Sequence, residues 1–162
     1  MYRITPCLSV GPYLSADRIP ALLAANVTHV LNVSNSHSAT ETLNAGFREV
    51  HDVPMLVDGR LPEVDVLHAL DQLFRMTGEP LAHVYVHCVY GQQRSPTVLW
   101  LFLIACGVDA EAARLMIETR AMTATAGHPR LVGPEMVTVV RRHGAANKFH
   151  LVNENVITPY LG

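Results

Sequence analysis

At 162 residues the chain has the length of one ordinary domain, and 49% hydrophobic against 16% charged residues is enough apolar material for a core, which excludes a disordered or fibrous protein. Twelve Lys and Arg against fourteen Asp and Glu leave a formal charge of −2, so no global field holds the chain to nucleic acid or an anionic membrane. The three cysteines, Cys7, Cys88 and Cys106, are odd in number and lack a paired short spacing, which argues against a disulfide framework and for a reducing, cytoplasmic setting.

The opening residues, Met1 to Pro6, lack the apolar run of a signal peptide. Strand-like apolar runs follow at Leu8–Val10, His29–Val33 and Ala82–His87, with a possible fourth around Glu49–Val53. The second and third of these are apolar on nearly every residue, the pattern of strands covered on both faces. Helical spacing runs through Ala16–Ala25 and through Glu63–Met76, where Val66, Leu67, Leu70, Leu73 and Phe74 share a face and Pro62 suits the first turn. The stretch Val98–Cys106 is apolar all round but far short of the roughly 20 residues a membrane span needs, so it reads as a helix through the core. Asp109–Arg120, with Asp109 as N-cap, and Pro134–His143 are two more helices. Strands alternating with helices predict an α/β domain of three layers, with a mainly parallel sheet of about four or five strands at its centre. No repeat or linker divides the chain, so residues 1–162 read as one domain with a core of about 4–144 and a tail of 145–162. The tail is either an edge strand or an arm packing on a neighbour. Oligomeric state is not legible.

The stretch with chemical content begins where the third strand ends, at His87-Cys88-Val89-Tyr90-Gly91-Gln92-Gln93-Arg94-Ser95-Pro96-Thr97. A short loop before a helix has backbone N–H groups with no internal partner, and these can converge on one anion. Gly91 can take the positive φ that wraps such a loop, and Pro96 in the first helical turn loses nothing by lacking an N–H. The same donors stabilise a thiolate at Cys88 and make it nucleophilic. Arg94 supplies a planar fork for two phosphate oxygens. Ser95 can hydrogen-bond the sulfur, and His87, behind the cysteine, is placed to orient the loop rather than to act as a base.

The pattern His87-Cys88-x5-Arg94-Ser95 resembles the signature of the cysteine-dependent protein tyrosine phosphatases, in their compact dual-specificity branch. Val27-Thr28-His29-Val30-Leu31-Asn32-Val33-Ser34, Ser95-Pro96-Thr97 and Pro129-Arg130-Leu131-Val132 are similar to that branch as well, so the likeness runs from about Ile4 to about Gly144. It implies a phosphomonoester hydrolase that forms a cysteinyl-phosphate and needs no metal or organic cofactor. In such an enzyme Cys88 attacks phosphorus, while Arg94 and the N–H groups of Val89, Tyr90, Gly91, Gln92, Gln93 and Arg94 hold the equatorial oxygens. It also implies a general acid on an upstream loop. Asp58, 30 positions before Cys88 and followed by Gly59, is the choice, with Asp52 and Asp65 as competitors. Gln92 and Gln93 depart from the smaller residues usual there; they either reshape the rim and help hold the attacking water or point outward.

The loop contains no lysine, unlike those of phosphoinositide phosphatases, which favours phosphoproteins as substrates, phosphotyrosine and phosphoserine/threonine alike. RNA 5′-phosphates and phospho-sugars are the non-protein alternatives. A pseudophosphatase that binds phosphorylated partners without turnover, or a thiol enzyme of sulfur or arsenate chemistry, are the rival classes. Neither a nucleic-acid nor a membrane partner is expected. Metal binding is not expected either, because His83 and His87 on a strand stand roughly 13 Å apart at about 3.3 Å per residue. Cys7 and Cys106 read as core, Arg114 and Arg120 as surface charges, and Arg141-Arg142-His143 as a solvated helix end.

Overall fold

In the computed structural model, which describes residues 1–56 and 58–162, five strands form one sheet. They are β1 (Tyr2–Thr5), β2 (Leu8–Gly11), β3 (His29–Asn32), β4 (Glu49–Asp52) and β5 (Val84–His87), in the spatial order β1-β2-β5-β3-β4. Only β1 is antiparallel to its neighbour; β2, β5, β3 and β4 run parallel. Every residue of β2, β3 and β5 is buried, which is why those segments read as apolar runs without alternation. The half-buried β4 is one edge strand and β1 is the other. The four expected strands are present, and β1 is the addition. Its alternation is too short to register alone, and the turn Pro6-Cys7 folds it onto β2.

Alternate strand residues feed two cores. Val84, Val86 and Leu31 point to the larger one, with helices α3 (Glu63–Thr77), α4 (Arg94–Ala105), α5 (Ala110–Arg120) and α6 (Pro134–Ala146). Tyr85 and Val30 point to the smaller one under α1 (Ile19–Ala24). All twelve residues of α4 are buried, so this helix is the axis of the larger layer, as its all-round apolarity predicts. A single buried side chain there contributes about 1.5–3 kcal/mol by leaving water. Gly144 lets α6 cross α4 so closely that any Cβ would run into the Ala105 carbonyl. Asp109 caps α5 as expected, accepting the N–H groups of Glu111 and Ala112 at 3.1 Å. The short α2 (Thr40–Leu43), only four residues long, had no periodic signal to announce it.

The tail is neither an edge strand nor an arm on a neighbour. It turns back on its own domain through a 3₁₀ turn at Phe149–Leu151 and α7 (Glu154–Ile157). Phe149 is buried and stacked on Phe74 with ring centres 4.4 Å apart, and Val156 joins the same core. The Tyr160 N–H donates to Ile4 O at 2.9 Å, and Arg120, expected as a plain surface charge, donates from Nε to Tyr160 O at 2.9 Å.

Candidate active site

The carboxyl ends of the parallel strands open onto a cavity of about 410 Å³ walled by Asp58, Gly59, Cys88, Tyr90, Gln92, Gln93, Arg94, Arg130 and Leu131. Its floor is the loop from Cys88 to Gln93, between β5 and the first turn of α4. Two of the loop's carbonyls are tied to residues that do not line the cavity: Val89 O accepts from Tyr13 N at 2.9 Å and Gln92 O from Thr125 N at 2.7 Å. A trans peptide sets its N–H opposite its C=O, so these two bonds aim the Tyr90 and Gln93 N–H groups inward. Gly91 makes the wrap possible. It has φ +71°, and a Cβ there would lie 2.7 Å from Gly11 O, so neither the conformation nor the space tolerates a side chain.

Cys88 is 3% exposed, with its sulfur at this floor. Burial alone raises a thiol's pKa and is the largest single influence here. The hydrogen bond from Ser95 Oγ (3.3 Å), the Ser95 and Gly91 N–H groups (the latter at 3.3 Å) and the charge of Arg94 overcome it and hold the pKa below the ordinary thiol value. Cys106, buried without such donors, is pushed the other way, up to about 12, and Cys7 is also raised by burial. The contrast isolates Cys88 as the one activated thiol among three free cysteines.

Arg94 is 8% exposed and donates from Nη1 to Met55 O at 3.2 Å, which ties the guanidinium to the loop that carries Asp58. His87 sits between Tyr13 and Tyr85, with ring centres 5.3 and 5.7 Å away, and its Nδ1–H donates to Cys88 O at 3.2 Å. Burial lowers its pKa to about 4, so the ring is neutral near pH 7.

Of the three carboxylates weighed for the acid, only Asp58 lines the cavity. Asp52 is committed elsewhere. It accepts from Ser38 N (3.0 Å), Ser38 Oγ (2.6 Å) and Asn32 Nδ2 (3.1 Å), and although burial works to raise its pKa, these bonds hold it below the usual carboxylate value. Asp65 lies in the first turn of α3. Val57, beside Asp58, falls outside the described residues. The wall also includes Arg130, which the sequence reading quoted only within Pro129-Arg130-Leu131-Val132 and did not place in the site. It stands 42 positions after Cys88 and is brought alongside by the segment between α5 and α6, whose Thr125 bonds Gln92 and whose Leu131 O accepts from Leu61 N at 2.7 Å.

At the opposite end of the sheet, His29, Glu49 and Glu79 bring one ligand atom each within 4.8 Å of one another, a grouping no spacing in the sequence shows. Each carboxylate there already has a partner: Glu79 accepts from His29 Nε2 at 2.9 Å, and Arg75 grips both oxygens of Glu49.

One cavity at the carboxyl ends of the sheet thus brings together a buried cysteine whose thiol pKa is lowered, an arginine and an aspartate. The chain belongs to the cysteine-dependent protein tyrosine phosphatase superfamily, in its compact dual-specificity branch: residues 9–147 match the family model of the Swiss Army Knife protein DSP-PTPase phosphatase domain. It is similar in fold to PTPMT1 in complex with PI(5)P, at 18% identity and a TM-score of 0.71 over 92% of this chain and 97% of that one. Human DUSP28 is similar at 19% identity and a TM-score of 0.64, over 93% of this chain and 99% of that one. The core catalytic domain of the Saccharomyces cerevisiae PP-IP phosphatase SIW14, in complex with citrate, is similar at 11% identity and a TM-score of 0.68, over 93% and 94%. At such identities the likeness is one of fold. No curated protein matches the sequence.

Proposed function

We propose that this phosphatase domain hydrolyses the phosphate monoesters of phosphoproteins, phosphotyrosine and phosphoserine/threonine, through a cysteinyl-phosphate. The observation that carries the reading is the Cys88 sulfur, which accepts hydrogen bonds from Gly91 N and Ser95 Oγ at the mouth of the loop that opens α4. The thiolate attacks phosphorus as the P–O ester bond breaks, and the departing oxygen takes a proton from Asp58. Asp58, now a carboxylate, then takes a proton from water as that water attacks the phosphocysteine. The P–S bond breaks back to the thiolate, which Ser95 stabilises by donating its hydroxyl proton. Arg94 and the amides of residues 89–94 hold the equatorial oxygens through both displacements, so the charge that develops meets donors already in place.

The five residues between Cys88 and Arg94 carry no charged side chain, which supports a phosphoprotein over a densely charged headgroup. An activated thiol supports a reducing, cytoplasmic setting. Residues 1–162 act as one unit in this reading. The test is turnover of a chromogenic phosphate ester at mildly acidic pH, then of a phosphopeptide set alongside inositol phosphates. Wild type is expected to turn over, to prefer the peptides and to lose activity in Cys88→Ser. Phosphate binding without turnover would overturn the reading in favour of a pseudophosphatase, and a preference for the inositol phosphates would overturn the substrate class.

A further inference from the structure

Several histidines of this fold rest on oxygen: His29 on Glu79 at 2.9 Å, His83 on Ser9 Oγ at 2.6 Å and His143 on Asp71 at 2.6 Å. His51 and His68 face each other instead, with Nε2 to Nε2 at 3.2 Å and ring centres 5.3 Å apart. Two neutral imidazoles can place a single N–H between those nitrogens, for one neutral hydrogen bond. The same spacing is the bite of a metal. With Zn–N bonds of about 2.0–2.1 Å and tetrahedral geometry, two ligand nitrogens stand about 3.3 Å apart.

The elements that carry the pair are already clamped. His51 lies on β4 and His68 on α3; two residues before His51, Glu49 is gripped by Arg75, which stands about two turns beyond His68. The Nδ1 of His51 is 3.8 Å from Glu49 Oε1, so a carboxylate's charge backs this ring, as it backs many ligating histidines. Burial, and after it the charge of His68, lowers the His51 pKa, which leaves the ring neutral at pH 7, the form that ligates. His51 is half-buried and His68 exposed, so water has access to the remaining coordination positions. The neighbouring group of His29, Glu49 and Glu79 suits a cation less well, because Arg75 and Arg48 stand against its carboxylates. The two histidines are 17 positions apart on a strand and a helix, so the spacing that argues against a metal at His83 and His87 does not apply to them.

We propose that His51 and His68 form a zinc site, with both Nε2 atoms as ligands and water completing the tetrahedron, that staples the edge strand β4 to α3. Imidazole nitrogen selects zinc and its transition-metal neighbours over magnesium or calcium. Neither histidine lines the Cys88 cavity, so the staple is independent of the reaction proposed there.

The test titrates Zn²⁺ alone into the tag-free chain carrying Cys88→Ser, which removes the activated thiol as a competing ligand. Calorimetry is expected to show saturable binding of one zinc per chain, and the melting temperature to rise with zinc concentration but not with magnesium. Adding His68→Gln weakens zinc binding at least about tenfold and abolishes the thermal shift. Because His68 is exposed, this variant keeps a zinc-free melting temperature close to that of its parent. His51→Gln has the same effect on zinc, whereas Glu79→Gln leaves the affinity in place. No saturable binding, an affinity indifferent to His68→Gln, or a loss confined to Glu79→Gln overturns the site.

Discussion

The two ends of the parallel sheet are built from the same kinds of residue and arranged for opposite ends. At the amino ends of β3 and β4, His29, Glu49, Glu79, Arg48 and Arg75 close on one another, imidazole to carboxylate and carboxylate to guanidinium. A hollow of about 850 Å³ lies at this end, walled by Cys7, Phe74, Arg75 and Leu151 among others. At the carboxyl ends the cavity is half that size, yet its charge is left uncancelled: two arginines rest on neutral acceptors beside a thiol with a lowered pKa. Size does not locate the chemistry here. What separates the two ends is whether charge is already cancelled, because a group satisfied inside the protein has little left to offer a ligand.

That contrast can be broken most severely at Gly91. Gly91→Ala drives a methyl group into the Gly11 backbone and strains a positive φ, so the amides lose their aim and kcat/KM falls by about 10²–10³-fold, as for loss of a preorganised donor. Ester turnover near the wild-type rate in a folded variant would show that the wrap of the loop is not what activates the site. Next comes the pair of aspartates. Asp58→Asn is expected to lower kcat by about 10²-fold, whereas Asp52→Asn chiefly lowers the melting temperature by weakening the Ser38 and Asn32 bonds, at about 1 kcal/mol. If Asp58→Asn costs no more activity than Asp52→Asn, the acid has been misplaced.

A subtler break concerns pH. Removing the hydroxyl in Ser95→Ala deletes a bond that favours the thiolate, so the Cys88 pKa rises towards the value burial alone imposes. The thiolate then forms only at higher pH, and the acid limb of the kcat/KM profile moves up. His87, neutral above about pH 4, does not contribute to that limb at mildly acidic pH. A profile unchanged by Ser95→Ala would detach the hydroxyl from the sulfur. The smallest effect belongs to the other end: Arg75→Met removes an exposed ion pair with Glu49, costs less than about 1 kcal/mol in denaturant melts and leaves kcat/KM at its wild-type value. Any marked loss of activity would mean the two ends are coupled.

Residues near one another in the chain carried most of the reading. The buried runs that became β2, β3 and β5, the cap at Asp109 and the all-round apolar α4 were legible because their cause is local: periodicity and side-chain chemistry over a handful of positions. So was the cradle from Cys88 to Ser95, since a strand end, a glycine and a helix start are contiguous. Only the tertiary structure shows what surrounds the two aspartates weighed from the sequence: Asp58 lines the cavity, while Asp52, six positions earlier, is bonded to Ser38 and Asn32. The tertiary structure also folded the tail onto Phe74 and set Arg130 against Gln93 across 37 positions of chain. Contacts of that span depend on how helices stack on the sheet, and no short window of sequence contains both partners.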